Sequence, residues 1–140
     1  MTNSNDLGTL KTSWLHCLLV QVRDDTPDDI RRGVEQVIPI CVKHRGTITD
    51  LMASIQLVAF GMLGGAREEC RDDSRSAMEE LRASLGGGVR IVAFEGDAAY
   101  GNVGTDRRMN YTILTPKFDR LLAALLDTDF GGVSELGAYP

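Results

Sequence analysis

Histidine, cysteine and aromatic side chains are scarce in this chain, and long apolar runs are missing. Its 140 residues hold two histidines, three cysteines and one tryptophan, with aromatics at 6%. The cysteines, Cys17, Cys41 and Cys70, are odd in number and far apart, so they offer no CxxC pair and no disulfide framework; they read as buried thiols of a reducing compartment. His16 and His44 stand near no cysteine or carboxylate pattern with zinc-ligand spacing, which leaves zinc unsupported. No basic segment leading into an apolar stretch opens the chain, and its apolar runs fall far short of the roughly 18 residues that span a bilayer. The expectation is a soluble cytoplasmic protein with no membrane partner. Glycines 96, 101 and 104 do not make GxGxxG, and neither GxxxxGK(S/T) nor GxSxG occurs, so dinucleotide, P-loop and hydrolase-elbow chemistry have no support.

What is present is an ordinary globular mix, 43% apolar and 25% charged, enough for one core. A formal charge of −5 and a pI near 4.9 argue against a surface that collects phosphates, and so against a nucleic-acid partner. The polar opening predicts a flexible N-terminal arm over residues 1–14, followed by a single domain over 15–140.

The run from Cys17 to Val22 predicts a central strand buried on both faces. A helix follows, capped by Thr26, opened by Pro27 and striped by Ile30, Val34, Val37, Ile38 and Cys41, with Gly46 as a stop. Pro39 is expected to kink it or end it early. The aspartates at 24, 25, 28 and 29 read as a solvated helix start rather than a calcium loop, since the glycine and final glutamate of such a loop are missing. Residues 47–53 and 55–61 predict two strands, and 66–85 a helix ended by Gly86, Gly87 and Gly88. Residues 89–94 and 98–103 predict a strand and its hairpin partner; 110–114 predicts another strand. Thr115 and Pro116 are expected to open a helix with Phe118, Leu121, Leu122, Leu125 and Leu126 inward, and the tail to add one short strand. This order favours an α+β fold with helices on one face of a sheet, a ferredoxin-like βαββαβ core with an added hairpin.

Two segments carry a resemblance. GVRIVAFEGDAAYGNVGTDRRMNYTILTPKFDRLLAALL, from Gly88 to Leu126, and HRGTITDLMASIQLVAFG, from His44 to Gly61, are similar to the catalytic domain of class III nucleotidyl cyclases, the adenylate and guanylate cyclases. With Cys17–Val22 placed as the family's first strand, the likeness spans most of the chain. The resemblance implies a cyclase-like fold, head-to-tail pairing into a homodimer, and a nucleotide cleft shared by two chains. It further implies that two aspartates hold two metal ions, one activating the ribose 3′-hydroxyl and the other gathering the phosphates.

At those positions the side chains differ. The metal aspartates fall on Gln21 and Ser54, the base-selecting lysine on Asp50 and its acidic partner on Asn110. The ribose-orienting asparagine falls on Asp119, and the arginine that steadies the transferring phosphate on Ala123. A shift of the first strand would instead offer Asp24 or Asp25 as a carboxylate. Magnesium needs hard anionic oxygens, and one lost electrostatic donor alone costs about 10²–10³ in rate. The expectation is therefore a catalytically inactive cyclase-homology domain with no catalytic residue, metal or cofactor, acting in dimerisation or regulation, with a second copy or a heteromeric signalling protein as its partner. One alternative is a metal-independent nucleotide sensor whose remnant cleft uses Asn110, Asp119, Arg107 and Arg108, although the two arginines also read as a charged hairpin tip. Another is an atypical or heterodimeric cyclase converting a nucleoside triphosphate to its cyclic monophosphate.

Overall fold

A computed structural model describes residues 10–105 and 108–138, excluding the side chains of residues 50, 51, 102–105, 108–112 and 114. In chain order the elements are β1 (Leu10–Val22), α1 (Pro27–Lys43), β2 (Thr47–Met52), β3 (Ile55–Phe60), α2 (Arg67–Leu85), β4 (Val89–Thr105), β5 (Arg108–Leu114), α3 (Phe118–Leu126) and β6 (Val133–Ala138). The sheet runs β2-β3-β1-β4-β5, with β6 parallel to the first half of β4. Its β2-β3-β1-β4 part, with α1 and α2, is the ferredoxin-like core, and the β4–β5 pair is the added hairpin. β5 also approaches β2, so the sheet is curled.

Side-chain alternation along β1 sorts the core into two. Leu18, Val20 and Val22 meet Val37, Ile40 and Cys41 of α1 and Ala77, Met78 and Leu81 of α2. Leu15, Cys17 and Leu19 face the other way, toward Leu121 and Leu125 of α3. Helices thus cover both faces, not one as the element order suggested, because α3 carries its own apolar stripe and returns under the sheet. Cys17, Cys41 and Cys70 are buried free thiols, and burial pushes Cys17 and Cys41 up to about 12.

Several local expectations change. β1 starts at Leu10 rather than Cys17, so residues 10–14 of the expected arm are strand, their backbones paired with Ala98, Ala99, Tyr100, Gly101 and Asp97 of β4. The polar Lys11, Thr12 and Ser13 hid this, since no apolar alternation marks a strand end exposed to water. The two strands expected over 89–94 and 98–103 are one 17-residue strand. Gly96 and Asp97 pair with Leu15 and Trp14, which holds them extended where a turn was expected.

α1 begins as expected, with the Asp29 amide donating to Thr26 Oγ1 at 3.1 Å. It runs through Pro39, whose ring lies on the exposed face, so the helix neither ends early nor buries an unpaired carbonyl. Arg45, at φ 68°, makes the left-handed turn that ends it, while Gly46 packs tightly against Val58 and the Cys41 carbonyl. Thr115 does not cap α3. Its hydroxyl is buried without a partner, and Lys117, at φ 57°, turns the chain into the helix instead. No helix among the described residues is long and apolar enough to cross a membrane.

Gly33 lets α1 touch β1, for a Cβ there would lie 2.6 Å from Cβ of Val22. Alanine would gain about 1 kcal/mol of helix propensity, but neither a β-branched carbon nor the strand behind it can yield cheaply. Gly33→Ala is expected to lower stability by about 1 kcal/mol or more in urea denaturation; an unchanged midpoint would show that α1 can lift away without cost.

His16 is 6% exposed. Burial, aided by Arg71 and Arg67 and opposed by Glu95, holds its pKa below the ordinary 6.5. The unfolded chain therefore takes this proton first, and stability falls as pH drops from about 6.5 toward the folded pKa. Asp28 and Glu80, held low chiefly by hydrogen bonds from Arg31 and Lys43, act only at more acid pH. Denaturation midpoints of His16→Gln should vary less between about pH 7.5 and 5.5 than those of the parent chain; parallel curves would remove His16 as the cause.

Candidate functional site

Gln21, next to last in β1, alternates with Cys17 and Leu19 and so points to the α3 face. It is 5% exposed, and a buried amide needs partners for both ends. Its Nε2 donates to Ser54 Oγ at 3.1 Å, and its Oε1 accepts from Arg90 Nε at 2.8 Å. Ser54 sits in the turn between β2 and β3, where its carbonyl accepts the Val22 amide at 3.0 Å. Gln21 pairs in register with Ile55 on one side and Arg90 on the other, which fixes the strand; Asp24 and Asp25 lie beyond it on the exposed turn.

Arg90 ties this pair to the end of α3. Its Nη1 donates to the carbonyls of Thr128 at 3.1 Å and Leu126 at 3.4 Å, where the helix presents negative potential. The guanidinium lies 4.6 Å from the centre of the Phe130 ring, and that of Arg23 lies 4.2 Å from it. Arg23 Nε donates to the Gly87 carbonyl at 3.1 Å, leaving its two terminal nitrogens without a hydrogen bond among the described residues. Arg90, Arg23 and Phe130 were not anticipated. A signal existed for Arg90, the lone charge in the apolar run VRIVAF, since a charge on a central strand requires partners.

The two positions matched to metal aspartates are thus brought together, as a neutral amide and a hydroxyl closed on each other. Their donor set does not fit a hard divalent cation: it has no carboxylate, and the amide oxygen already accepts from a guanidinium. A fixed positive charge beside the site opposes another cation by about 3 kcal/mol per unit charge at about 5 Å and an effective dielectric of 20.

Of the remaining candidates, those whose side chains are described are not gathered at this cluster. Asp119 and Ala123 are exposed and one turn apart on α3. Asp119 lies near the start of that helix, about 10 Å from the end that Arg90 holds, at 1.5 Å per residue. Asp50 and Asn110 belong to β2 and β5, the two strands that approach each other, and their side chains are outside those described. Arg108 opens β5 with its backbone opposite Thr105, its side chain likewise outside, and Arg107 lies outside the described residues altogether.

No protein-family model matches the chain, and no curated protein matches it. Solved structures do. The adenylyl cyclase CyaB from P. aeruginosa superposes with a TM-score of 0.70 at 18% identity, over 89% of this chain and 76% of that one. The guanylate cyclase domain of RhGC from Catenaria anguillulae, in complex with GTP, gives 0.71 at 10% identity, over 88% and 78%. A non-canonical dimeric guanylyl cyclase domain of the RhoGC fusion protein from the aquatic fungus Blastocladiella emersonii gives 0.70 at 8% identity, over 88% and 79%. The chain has the fold of the class III nucleotidyl cyclase catalytic domain.

Proposed function

We propose that this chain is a catalytically silent cyclase-homology domain that acts by pairing, with a second copy or with a signalling partner, rather than by turnover. The observation that carries the reading is the closed Gln21–Ser54–Arg90 network at the positions where the resemblance calls for metal-binding carboxylates. Cyclisation needs the 3′-hydroxyl deprotonated and the triphosphate's charge gathered, and an amide, a hydroxyl and Ala123 supply neither a general base nor a metal platform. Pairing is supported by the non-canonical dimer of the RhoGC domain and by the separation of Asp119, in the first turn of α3, from the far end of that helix, which Arg90 holds. Cytoplasmic location belongs to the same proposal.

A second reading, a metal-independent nucleotide sensor, is favoured by one feature. Arg23 and Arg90 flank the Phe130 ring, and Arg23 keeps free donors that suit a phosphate. A thermal-shift panel of nucleotides without metal separates the two: a ligand at 100 times its dissociation constant would add about 2.7 kcal/mol, and no shift is expected from a pure pairing module.

For the leading reading, calorimetry with manganese and ATP or GTP is expected to give no heat of binding, turnover assays no cyclic nucleotide, and sedimentation a dimer. Cyclic AMP or GMP formed by the chain alone would overturn silence, and a monomer at high concentration would overturn homotypic pairing. Arg90→Ala strips the donor from the buried Gln21 oxygen and two carbonyls, and should cost about 1–3 kcal/mol in chemical denaturation. Arg90→Lys should recover little of this, because an ammonium lacks the planar fork that reaches Gln21 and the end of α3 together.

A further inference from the structure

A cavity of about 100 Å³ opens on the opposite face of the sheet, between α2 and the strands β1, β4 and β6. Its base is the imidazole of His16, whose residue pairs in register with Glu95 of β4. One wall is α2, which presents Arg71, Ser74 and Arg75 at i, i+3 and i+4, and so on one face. The facing wall holds Glu95 and Glu135, from β4 and β6.

The charges on these walls differ from those on α1. On α1, Arg31 and Arg32 are tied into ion pairs with Asp28, Asp29 and Glu35 at 2.6–3.2 Å. Around the cavity neither Arg71 nor Arg75 makes an ion pair or hydrogen bond among the described residues, and neither does Glu135. Among the described residues Glu95 meets only His16 Nδ1, at 3.5 Å. Guanidinium groups and carboxylates thus line opposite sides of one cavity without closing on each other.

We propose that this cavity is a binding site for a small zwitterion of the α-amino-acid class, its carboxylate held by Arg71 and Arg75 and its ammonium by Glu95 and Glu135. A lone anion would satisfy the arginines but face two carboxylates, and a lone cation would meet the reverse; only a ligand with both charges a few bonds apart complements both walls. A volume of about 100 Å³ suits a small ligand rather than an extended one. The hydroxyl of buried Ser74 and the imidazole of His16, kept neutral by burial near neutral pH, add uncharged hydrogen-bonding groups. The site shares no side chain with the Gln21 cluster and does not depend on the cyclase reading.

The test titrates the full chain with glycine, L-alanine and L-serine, with acetate and methylammonium as single-charge probes, by calorimetry and thermal melting. At least one zwitterion is expected to bind saturably, one per chain, and raise the melting temperature, with neither single-charge probe matching it. Arg75→Gln and Glu135→Gln, both at exposed positions, should each weaken that binding by about tenfold or more, the loss expected for one charge-assisted hydrogen bond. Absence of saturable zwitterion binding, equal binding of acetate, or unaltered affinity in both variants would each overturn the proposal.

Discussion

The β1–β4 ladder is the constraint on which the rest is hung. Its register runs without a break from Leu10 opposite Gly101 to Val22 opposite Val89. β3 takes the other edge of β1 from His16 to Gln21, while β6 and β5 take successive parts of the other edge of β4. Because side chains alternate, this one register decides which residues lie under α1 and α2 and which under α3. A slip of one residue would drive Gln21 into the apolar layer beneath α1 and turn Val22 toward Arg90. The polar cluster at the end of β1 is therefore a consequence of backbone pairing, and its chemistry cannot be re-chosen by moving the strand.

That placement also explains why glutamine suits position 21. Arg90 can only donate, so the amide oxygen faces it, and the amide nitrogen donates to the Ser54 hydroxyl. An amide meets both with no net charge, whereas a carboxylate, which could accept from the guanidinium and the hydroxyl alike, would bury a charge. Burying a charge costs several kcal/mol after relaxation, so one cation satisfied by an amide and two carbonyls is a modest arrangement where a carboxylate pair with metals would demand compensating ligands. The network is self-sufficient, and a structure whose polar groups are already satisfied presents little driving force for an ion to enter.

Much of this was legible in the residues. The strand at Cys17–Val22, both amphipathic helices, the capped start at Thr26 and the two segments of cyclase likeness are local signals, each written in a dozen or so neighbouring residues. The illegible parts are long-range. Nothing near Lys11 or Ser13 announces a strand; their partners lie almost ninety positions away, at Tyr100 and Ala98. The glycine at 96 looked like a turn and is extended because Leu15 faces it. Helix α3 was found, but the face it covers depends on how the chain returns from β5. At the site, the alignment named Gln21 and Ser54 separately; that they bond to each other, with Arg90 behind them, is a fact of the sheet's pairing alone.

The two faces of the sheet illustrate different fates of charge in one small acidic domain. At Gln21 the amide and the Arg90 guanidinium are matched to each other and to the end of α3, and on α1 the arginines sit in i,i+3 and i,i+4 pairs that cost little and contribute little. Beside His16, by contrast, arginines and glutamates of opposite sign line one cavity and stop short of each other. Stability does not account for this, since surface pairs of that kind are worth at most about 1 kcal/mol and are as easily made as left open. What an open pair offers is an unspent electrostatic preference, available to any molecule small enough to enter and doubly charged in the right sense. With the Gln21 amide already satisfied at the end of β1, that cavity is where recognition has room to occur.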